Sequence, residues 1–203
     1  MSEFADVVRN RRMTRSFCAD RVDPAVLDRM VDLASRAPSA GKTQGWHLLV
    51  LEGPATARYW DITLPEPKRS GFRWQGLLDA PVLMLALADP EAYVERYAEP
   101  DKQRTGLGSG ADVWPVPYWT VDASMSVMTL LHAAEDEGLG ALFFGVFQRE
   151  DEVRAEFAIP DHMVMIGAVA LGHPEREPGS EGSGRSSSRR RRRPDEIIHR
   201  DSW

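Results

Sequence analysis

The sequence has little cysteine, no long hydrophobic run and no excess of positive charge, and each absence excludes a class of protein. Its 203 residues contain one cysteine, Cys18, so neither an intrachain disulfide framework nor a cysteine metal cluster can form. No apolar run approaches the roughly 18–20 residues that a membrane span requires. The N-terminus lacks the basic and then apolar order of a signal peptide. We therefore expect a cytoplasmic protein that does not insert into a membrane.

Length and charge favour one domain with small-molecule partners. Hydrophobic residues make up 42% of the sequence and charged residues 28%, which is ordinary for a globular protein. A formal net charge of −6 argues against nucleic acid as a partner of the whole surface. The five histidines show no metal-site or catalytic-triad spacing. The sequence therefore predicts no metal centre and no catalytic acid, base or nucleophile.

The order of predicted elements indicates an α+β fold. Asp23-Pro24 and Asp89-Pro90 each place a capping aspartate before a proline suited to the first helical turn. Helices and buried strands alternate without a strict βαβ repeat, which favours α+β over a doubly wound sheet. The predicted strands are residues 46–51, 82–88, 141–147 and 163–171, and further predicted helices are residues 55–63, 90–97, 122–137 and 150–157.

Two segments about thirty residues apart carry most of the functional information. Residues 11–17 place three arginines, Arg11, Arg12 and Arg15, within five positions, and this set of planar donors suits a phosphate or another anionic group. Residues 37–46 form a small-residue turn that ends in a lysine and a glutamine before an apolar strand. Together the segments predict an anion site beside a buried strand.

Gly41-Lys42-Thr43 is similar to the end of a phosphate-binding P-loop, but we reject this interpretation. The P-loop pattern requires a glycine where Arg36 stands. A P-loop also follows a strand and opens a helix, whereas this segment follows a helix and opens a strand. We expect no tight binding of Mg-ATP in a calorimetric titration.

Four motifs in order resemble those of the FMN-dependent nitroreductase family. Residues 11–17 are similar to R-R-S-x-R-x-F, and residues 37–46 to A-P-S-x-x-N-x-Q-P-W. Gly138-Leu139-Gly140 precedes a buried strand, and residues 192–199 place a basic pair before P-D-E-I-I-H. The resemblance implies a nitroreductase-like α+β fold with a central, mostly antiparallel sheet flanked by helices. It also implies an intertwined homodimer with one FMN per subunit at the interface.

The resemblance also implies which residues hold FMN. The three clustered arginines would bind its phosphate and the pyrimidine edge of the flavin, and Pro38 and Ser39 would approach from the other subunit. Lys42 stands where the family usually has asparagine, which would add positive charge near the flavin or substrate. The implied cofactor-binding residues are Arg11, Arg12, Met13, Thr14, Arg15, Pro38, Ser39, Lys42, Phe143, Phe144, Gly145, Arg192 and Arg193, with Met13 and Thr14 contributing mainly backbone.

The activity implied by the resemblance is ping-pong electron transfer from NADPH or NADH to small aromatic acceptors of nitro or quinone type. A permanent cation such as Arg15 near N1 and O2 of the flavin would stabilise its reduced, anionic form. The alternatives are a specialised flavoenzyme of the same superfamily, such as a reductive dehalogenase or a metabolite dehydrogenase, and a flavin-binding or flavin-storing protein without turnover.

Residues 101–118 predict a long loop, because their glycines and prolines prevent a long helix or strand, and large aromatic residues lie at its end. Trp114, Tyr118 and Trp119 lie at its end, and long aromatic loops of this kind often form binding walls. The predicted role is a substrate-binding wall, with a plug in the dimer interface as an equally supported alternative.

The C-terminal part divides into two segments beyond a main domain of residues 1–175. Residues 176–188 are rich in glycine and serine and predict a flexible loop. Residues 189–203 begin with five arginines and, by the resemblance, complete the FMN site and the dimer. Basic runs also bind nucleic acid, so an electrostatic tether is the competing hypothesis. Asp195 and Glu196 follow the run directly and favour the phosphate role.

Overall fold

A four-stranded antiparallel sheet forms the centre of the fold in the computed structural model, which describes residues 3–175 and 189–203. The predicted flexible loop, residues 176–188, lies outside the described residues. The strands are β1 (Trp46–Glu52), β2 (Val82–Ala88), β3 (Gly140–Phe144) and β4 (Val164–Gly172), in the order β1-β2-β4-β3. Every neighbouring pair is antiparallel, which confirms the predicted α+β class.

Seven helices connect and cover the strands in the described part of the chain. Asp23 accepts a hydrogen bond from the backbone N–H of Ala25, and Asp89 accepts one from that of Ala92, so both predicted aspartate caps are confirmed. Among the described helices, none has the length and apolar character needed to cross a membrane. The helices are α1 (Phe4–Asn10), α2 (Pro24–Ala34), α3 (Pro54–Thr63), α4 (Glu66–Arg69), α5 (Pro90–Ala98), α6 (Tyr118–Asp136) and α7 (Glu150–Glu156).

Two predicted boundaries were wrong by three or more residues, and each has a physical reason. Helix α6 begins at Tyr118 rather than at residue 122. Pro117 stands at the cap position and makes no side-chain cap bond, so no capping residue marks this start in the sequence. Strand β3 ends at Phe144 rather than at residue 147. Its last pair, with Ala168, lies beside a point where β4 carries one extra residue against β2, and such a bulge interrupts the ladder.

The two faces of the sheet pack against different helices. Strand β2 is buried along its whole length. On one face, Met84 packs in a cluster with Met30 of α2 and Leu130 of α6. On the other face, the buried cluster includes Tyr59 of α3 and Val153 of α7. The sheet is therefore covered on both faces, and its open positions lie along its edges and ends.

The segment with the three arginines lies along the β3 edge of the sheet. Met13 forms a parallel bridge with Ala141, and the Thr14 N–H donates to the Ala141 carbonyl over 2.9 Å. Further on, the Cys18 N–H donates to the His173 carbonyl over 2.9 Å. This pairing directs Arg15 toward the end of β3.

Candidate functional site

A cavity of about 480 Å³ opens at the end of β3. Aromatic side chains from α3, from the segment before β2 and from the end of β3 form most of its wall, and Arg15 is its only positively charged lining residue among the described parts of the chain. Such an aromatic pocket with a cation suits a planar, electron-rich ligand. The lining residues are Arg15, Tyr59, Trp60, Thr63, Leu64, Phe72, Trp74, Leu77, Leu142, Phe143, Phe144, Gly145, Val146, Phe147 and Gln148.

Arg15 is held at the cavity without a carboxylate partner. Its Nη1 donates to the Met13 carbonyl over 3.0 Å. Its Cζ lies 5.4 Å from the centroid of the Trp74 ring, within the range of a cation–π contact. Within residues 3–175 and 189–203, Arg15 forms no ion pair with an acidic side chain. No acidic side chain of the described residues therefore neutralises its positive charge.

The other two arginines of this segment lie near the end of α1. Arg12 Nη1 donates to the carbonyls of Arg9, Asn10 and Arg11 over 2.5, 2.9 and 3.1 Å, so it caps the helix. Arg11 Nη1 is buried and makes no hydrogen bond. Burial and then the charge of Arg11 lower the pKa of His132. The Nη1 group of Arg11 can therefore donate to a ligand, and its charge makes the region near His132 attractive to an anion.

Unpaired buried donors test whether these residues fit a flavin. Besides Arg11 Nη1, the described residues contain two other buried side-chain donors with no partner, Trp60 Nε1 and Trp74 Nε1, and both tryptophans line the cavity. Buried donors without acceptors are uncommon in folded proteins. A ligand with a phosphate and a planar ring rich in acceptors fits this set of residues. No described group of acidic, histidine or cysteine side chains could hold a metal ion.

The predicted residues at the end of β3 also lie at the cavity. Phe143, Phe144 and Gly145 all line it, together with Arg15. The Phe144 ring stacks on Trp60, with centroids 6.1 Å apart and planes 8° from parallel. A Cβ at Gly145 would overlap the Phe147 ring, so glycine lets the chain turn tightly there. The structure therefore brings together two of the predicted groups that are far apart in sequence.

The loop before β1 has an unusual backbone. Gly41, Lys42 and Gln44 have φ of 63°, 57° and 58°, a region that glycine and asparagine adopt much more readily than lysine or glutamine. The side chains of Lys42 and Gln44 are exposed. The asparagine that the family pattern has at position 42 thus fits the left-handed backbone, and Lys42 adopts it at an energetic cost.

A buried carboxylate, which sequence reasoning missed, fixes this loop. Asp122 of α6 is 4% exposed. Its Oδ2 accepts from the Ala40 N–H over 2.7 Å and from the Tyr93 hydroxyl over 2.8 Å. Burial, followed by the bond to Asp122, raises the pKa of Tyr93, which keeps that hydroxyl a donor. Arg96 Nε also donates to the Gly41 carbonyl over 2.9 Å.

The loop residues predicted to reach FMN do not line the cavity of their own protomer. Pro38, Ser39 and Lys42 are absent from the described residues around it. They lie at the start of β1, which is an outer strand, whereas the cavity lies beside β3 at the opposite edge. Their predicted approach from a second subunit is consistent with this separation and stays a prediction.

The predicted substrate wall lies in a separate aromatic cluster. Trp114 and Trp119 are 8% and 9% exposed and pack with Tyr93. Trp114 Nε1 donates to the Leu107 carbonyl over 3.0 Å. Tyr118, at the start of α6, is 42% exposed. None of the three predicted residues is among the described residues that line the cavity, and their contact with substrate stays a prediction.

The C-terminal arginines form ion pairs with their own segment. Arg190 donates to both carboxylate oxygens of Glu196 over 2.8 and 2.7 Å, and Arg193 Nη2 donates to Asp195 over 2.8 Å. The bond from Arg190 is the main cause of the lowered pKa of Glu196. Arg192 is exposed, and the described residues include no hydrogen-bonding or ionic partner for it. The phosphate contacts predicted for Arg192 and Arg193 stay predictions.

The cavity wall includes residues that the sequence did not single out. Tyr59, Trp60, Phe72 and Trp74 come from α3 and from the segment after α4, and only folding places them beside Arg15. The one available signal was the concentration of aromatic residues between residues 59 and 74, which is equally typical of a core. For Asp122, the available signal was an acidic residue among the apolar positions of its helix, close to Trp119 and Ala123.

Comparisons with a family profile, with related sequences and with solved structures all point to the nitroreductase family. The sequence profile of the nitroreductase family matches residues 8–173. A protein named NADH dehydrogenase from Thermus thermophilus is 28% identical over 183 residues, covering 82% of this chain and 84% of its own length. The 4-nitrobenzoate reductase of a Nocardioides species is 28% identical over 199 residues, covering 84% and 80%. The nitroreductase CinD from Lactococcus lactis, solved with nicotinic acid, superposes with a TM-score of 0.71 at 22% identity, covering 94% of this chain and 100% of that one.

Proposed function

The chain belongs to the nitroreductase family, and we propose that it is an FMN-dependent oxidoreductase that transfers electrons from NADPH or NADH to small aromatic acceptors of nitro or quinone type. The observation that carries this proposal is the meeting of Arg15 with residues 143–145 around one aromatic cavity. The names of the relatives, NADH dehydrogenase and 4-nitrobenzoate reductase, support oxidoreductase chemistry with a nicotinamide donor and an aromatic nitro acceptor.

The proposed binding of FMN divides between a phosphate end and a ring end. Arg11 and Arg12 would hold the phosphate, since both lie at the end of α1 and Arg11 Nη1 is buried without a partner. The aromatic cavity would hold the ring, with the backbone of Phe143, Phe144 and Gly145 along it. When bound, FMN supplies the two-electron chemistry that couples oxidation of the donor to reduction of the acceptor.

The contribution of the protein is then mainly electrostatic. Arg15 has no carboxylate partner in the described residues, so its full charge acts on the cavity. A fixed cation stabilises negative charge that develops beside it, and the effect is strong because aromatic walls exclude water. Trp60 and Trp74 offer two further donors. No acid or base from the protein is required at the reacting atoms.

A second copy of the chain would complete the site. The loop with Ser39 and Lys42 lies at the sheet edge opposite the cavity of its own protomer, so a homodimer would supply it from the other subunit. The C-terminal segment exposes Ile197, Ile198 and Trp203 by 56%, 52% and 99%. Exposed apolar residues of this kind are typical of surfaces that a partner covers.

Nucleic acid is not among the proposed partners, and the proposed location is the cytoplasm. Arg190 and Arg193, in the basic run, already pair with Glu196 and Asp195, which weakens the case for an electrostatic tether. Salt-sensitive retention on a nucleic-acid column at physiological ionic strength would overturn this part of the proposal.

The first experiment is the visible absorbance spectrum of the purified protein, followed by anaerobic addition of NADPH or NADH. We expect the bands of bound flavin and their loss on addition of either donor, with 4-nitrobenzoate then restoring them. Bound flavin that neither donor bleaches would favour a specialised or storage role. Absence of flavin even after reconstitution with FMN would overturn the proposal.

A further inference from the structure

Two guanidinium groups lie within cation–π range of Trp74 at the cavity wall. The Cζ atoms of Arg15 and Arg73 lie 5.4 and 5.6 Å from the centroid of its ring. The ring is part of the cavity wall, and its Nε1 is buried without a hydrogen-bond partner. The indole therefore contacts the cation that the proposed function places beside the flavin.

The chain holds the tryptophan segment at a fixed distance from the arginine segment. The Phe17 N–H donates to the Gly76 carbonyl over 3.0 Å. A Cβ at Gly76 would overlap Ser16 Oγ, so only glycine allows this close approach. The Phe72 ring meets Trp74 edge-on at 5.8 Å. The Phe72 ring therefore packs on Trp74, and the backbone bond between Phe17 and Gly76 holds the segment of Trp74 beside that of Arg15.

The kind of partner matters for the charge of Arg15. A carboxylate would hold the guanidinium in place but would neutralise it. An aromatic face attracts the cation through its quadrupole and leaves the net positive charge intact. The hydrogen bond to the Met13 carbonyl also leaves the net charge unchanged. The contacts of Arg15 with the Met13 carbonyl and the Trp74 ring therefore fix its position while preserving its field in the cavity.

We propose that Trp74 is a positioning residue for Arg15 and, through it, raises the preference of the site for reduced over oxidised FMN. This inference rests on the proposed function, because it concerns the same cavity. Trp74 itself takes no part in the electron transfer, and the loss of its Nε1 donor is common to W74L and W74F, so the difference between these variants reports on the aromatic face. Its effect is to keep an un-neutralised guanidinium at the place where the reduced flavin carries negative charge.

The test compares Trp74→Leu and Trp74→Phe with wild type, each alone and combined with Arg15→Ala. The dissociation constant of FMN is measured by fluorescence quenching and the midpoint potential of the bound flavin by equilibration with a reference dye. We expect W74L to reduce the ratio of affinities for reduced and oxidised FMN about tenfold, which is about 30 mV for a two-electron couple. W74F, which retains an aromatic face, should recover most of this change.

The double variants decide whether Trp74 acts through Arg15. In the R15A background, W74L should change the affinity ratio by less than about twofold, because the cation that it positions is absent. An equal change in both backgrounds would overturn the inference, and so would a W74L potential identical to that of wild type. Phe157→Leu is the matched control, since the Arg58 Cζ lies 5.5 Å from the Phe157 ring centroid and Phe157 is not among the described residues that line the cavity. Its affinity ratio should equal that of wild type.

A second pair of variants tests the argument about charge without removing the contact. Trp74→Glu offers Arg15 an ion pair, and Trp74→Gln is its uncharged match. We expect W74E to lower the affinity ratio further than W74Q, and an equal ratio in the two variants would contradict the inference. If wild-type protein binds FMN and the Trp74 variants have the same affinity ratio and midpoint potential, this inference alone is refuted. Wild-type protein that binds no FMN refutes the proposed function as well.

Discussion

Two arginine clusters in this chain have similar composition and opposite surroundings. Arg11, Arg12 and Arg15 have no described carboxylate partner, and their contacts are backbone carbonyls and one indole. In the C-terminal run, Arg190 and Arg193 are paired with acids of their own segment and exposed. The difference teaches that the number of arginines does not identify an anion site. The partners of each guanidinium decide how much of its charge a ligand meets.

The largest expected effect comes from removing the un-neutralised charge at the cavity. Arg15→Ala should raise the dissociation constant of FMN about tenfold or more, since a hydrogen bond to a charged group contributes about 1.5–3 kcal/mol. The measurement is fluorescence titration with FMN, with Arg104→Ala, an exposed arginine elsewhere, as the control. If R15A keeps the flavin content and the rate of flavin reduction of wild type, the charge of Arg15 does not act on FMN, and the two arginine clusters do not differ as proposed.

The buried acid Asp122 should contribute more to the stability of the fold than the exposed acids of the C-terminal segment. The same oxygen of Asp122 accepts from the Ala40 N–H and from the Tyr93 hydroxyl. In Asp122→Asn the amide oxygen can take its place, but it is neutral and therefore a weaker acceptor of both bonds than the carboxylate. We expect the free energy of unfolding to fall by about 1–2 kcal/mol, measured by urea denaturation. Ser126→Ala, at another buried polar position on α6, is the matched control. Equal stability of D122N and wild type would show that the loop does not depend on this carboxylate.

The location of the phosphate can be tested through His132. Burial and the nearby charge of Arg11 lower the pKa of His132 in the free protein. A phosphate bound at Arg11 brings negative charge that opposes the effect of Arg11, so the pKa of His132 should rise when FMN binds. An NMR pH titration with and without FMN measures this shift. A constant or further lowered pKa would contradict the placement of phosphate beside Arg11.

The smallest expected effect concerns the paired arginines of the C-terminal run. Glu196→Gln removes the partner of Arg190, so the variant should elute from a heparin column at slightly higher salt than wild type. Glu91→Gln makes the same change in net charge at another exposed position, and it should elute earlier than E196Q. The same pair responds to acid: the pKa of Glu196 is lowered, so the contact persists above its ordinary titration range and is lost as pH falls through the lowered value.

Local chemistry was readable from the sequence, and long-range contacts were not. The Asp-Pro signals at residues 23–24 and 89–90 predicted two helix starts, because a cap acts on its own first turn. The start of α6 was mispredicted because Pro117 provides no such cap. The end of β3 depends on an extra residue in β4, more than twenty positions away.

The candidate site divides in the same way. The motif at residues 11–17 and residues 143–145 were predicted from the family resemblance, and the structure places Arg15 beside residues 143–145. Trp74 and Asp122 were not found, since nothing near them in the sequence shows that one faces Arg15 and the other receives the Ala40 N–H. Their roles arise from contacts between elements that are distant in the chain.

The pairing of residues 13–18 has a consequence for how the protein is made. This segment leaves the ribosome early, yet apart from Gly76 its partners are Ala141 and residues 173–175, and the Ser16–Glu175 bond spans 159 positions. The arginines can therefore take their places only after β4, the last strand, has been synthesised and has joined the sheet. During translation the anion site does not yet exist, and a ligand that it binds selects finished chains over nascent ones.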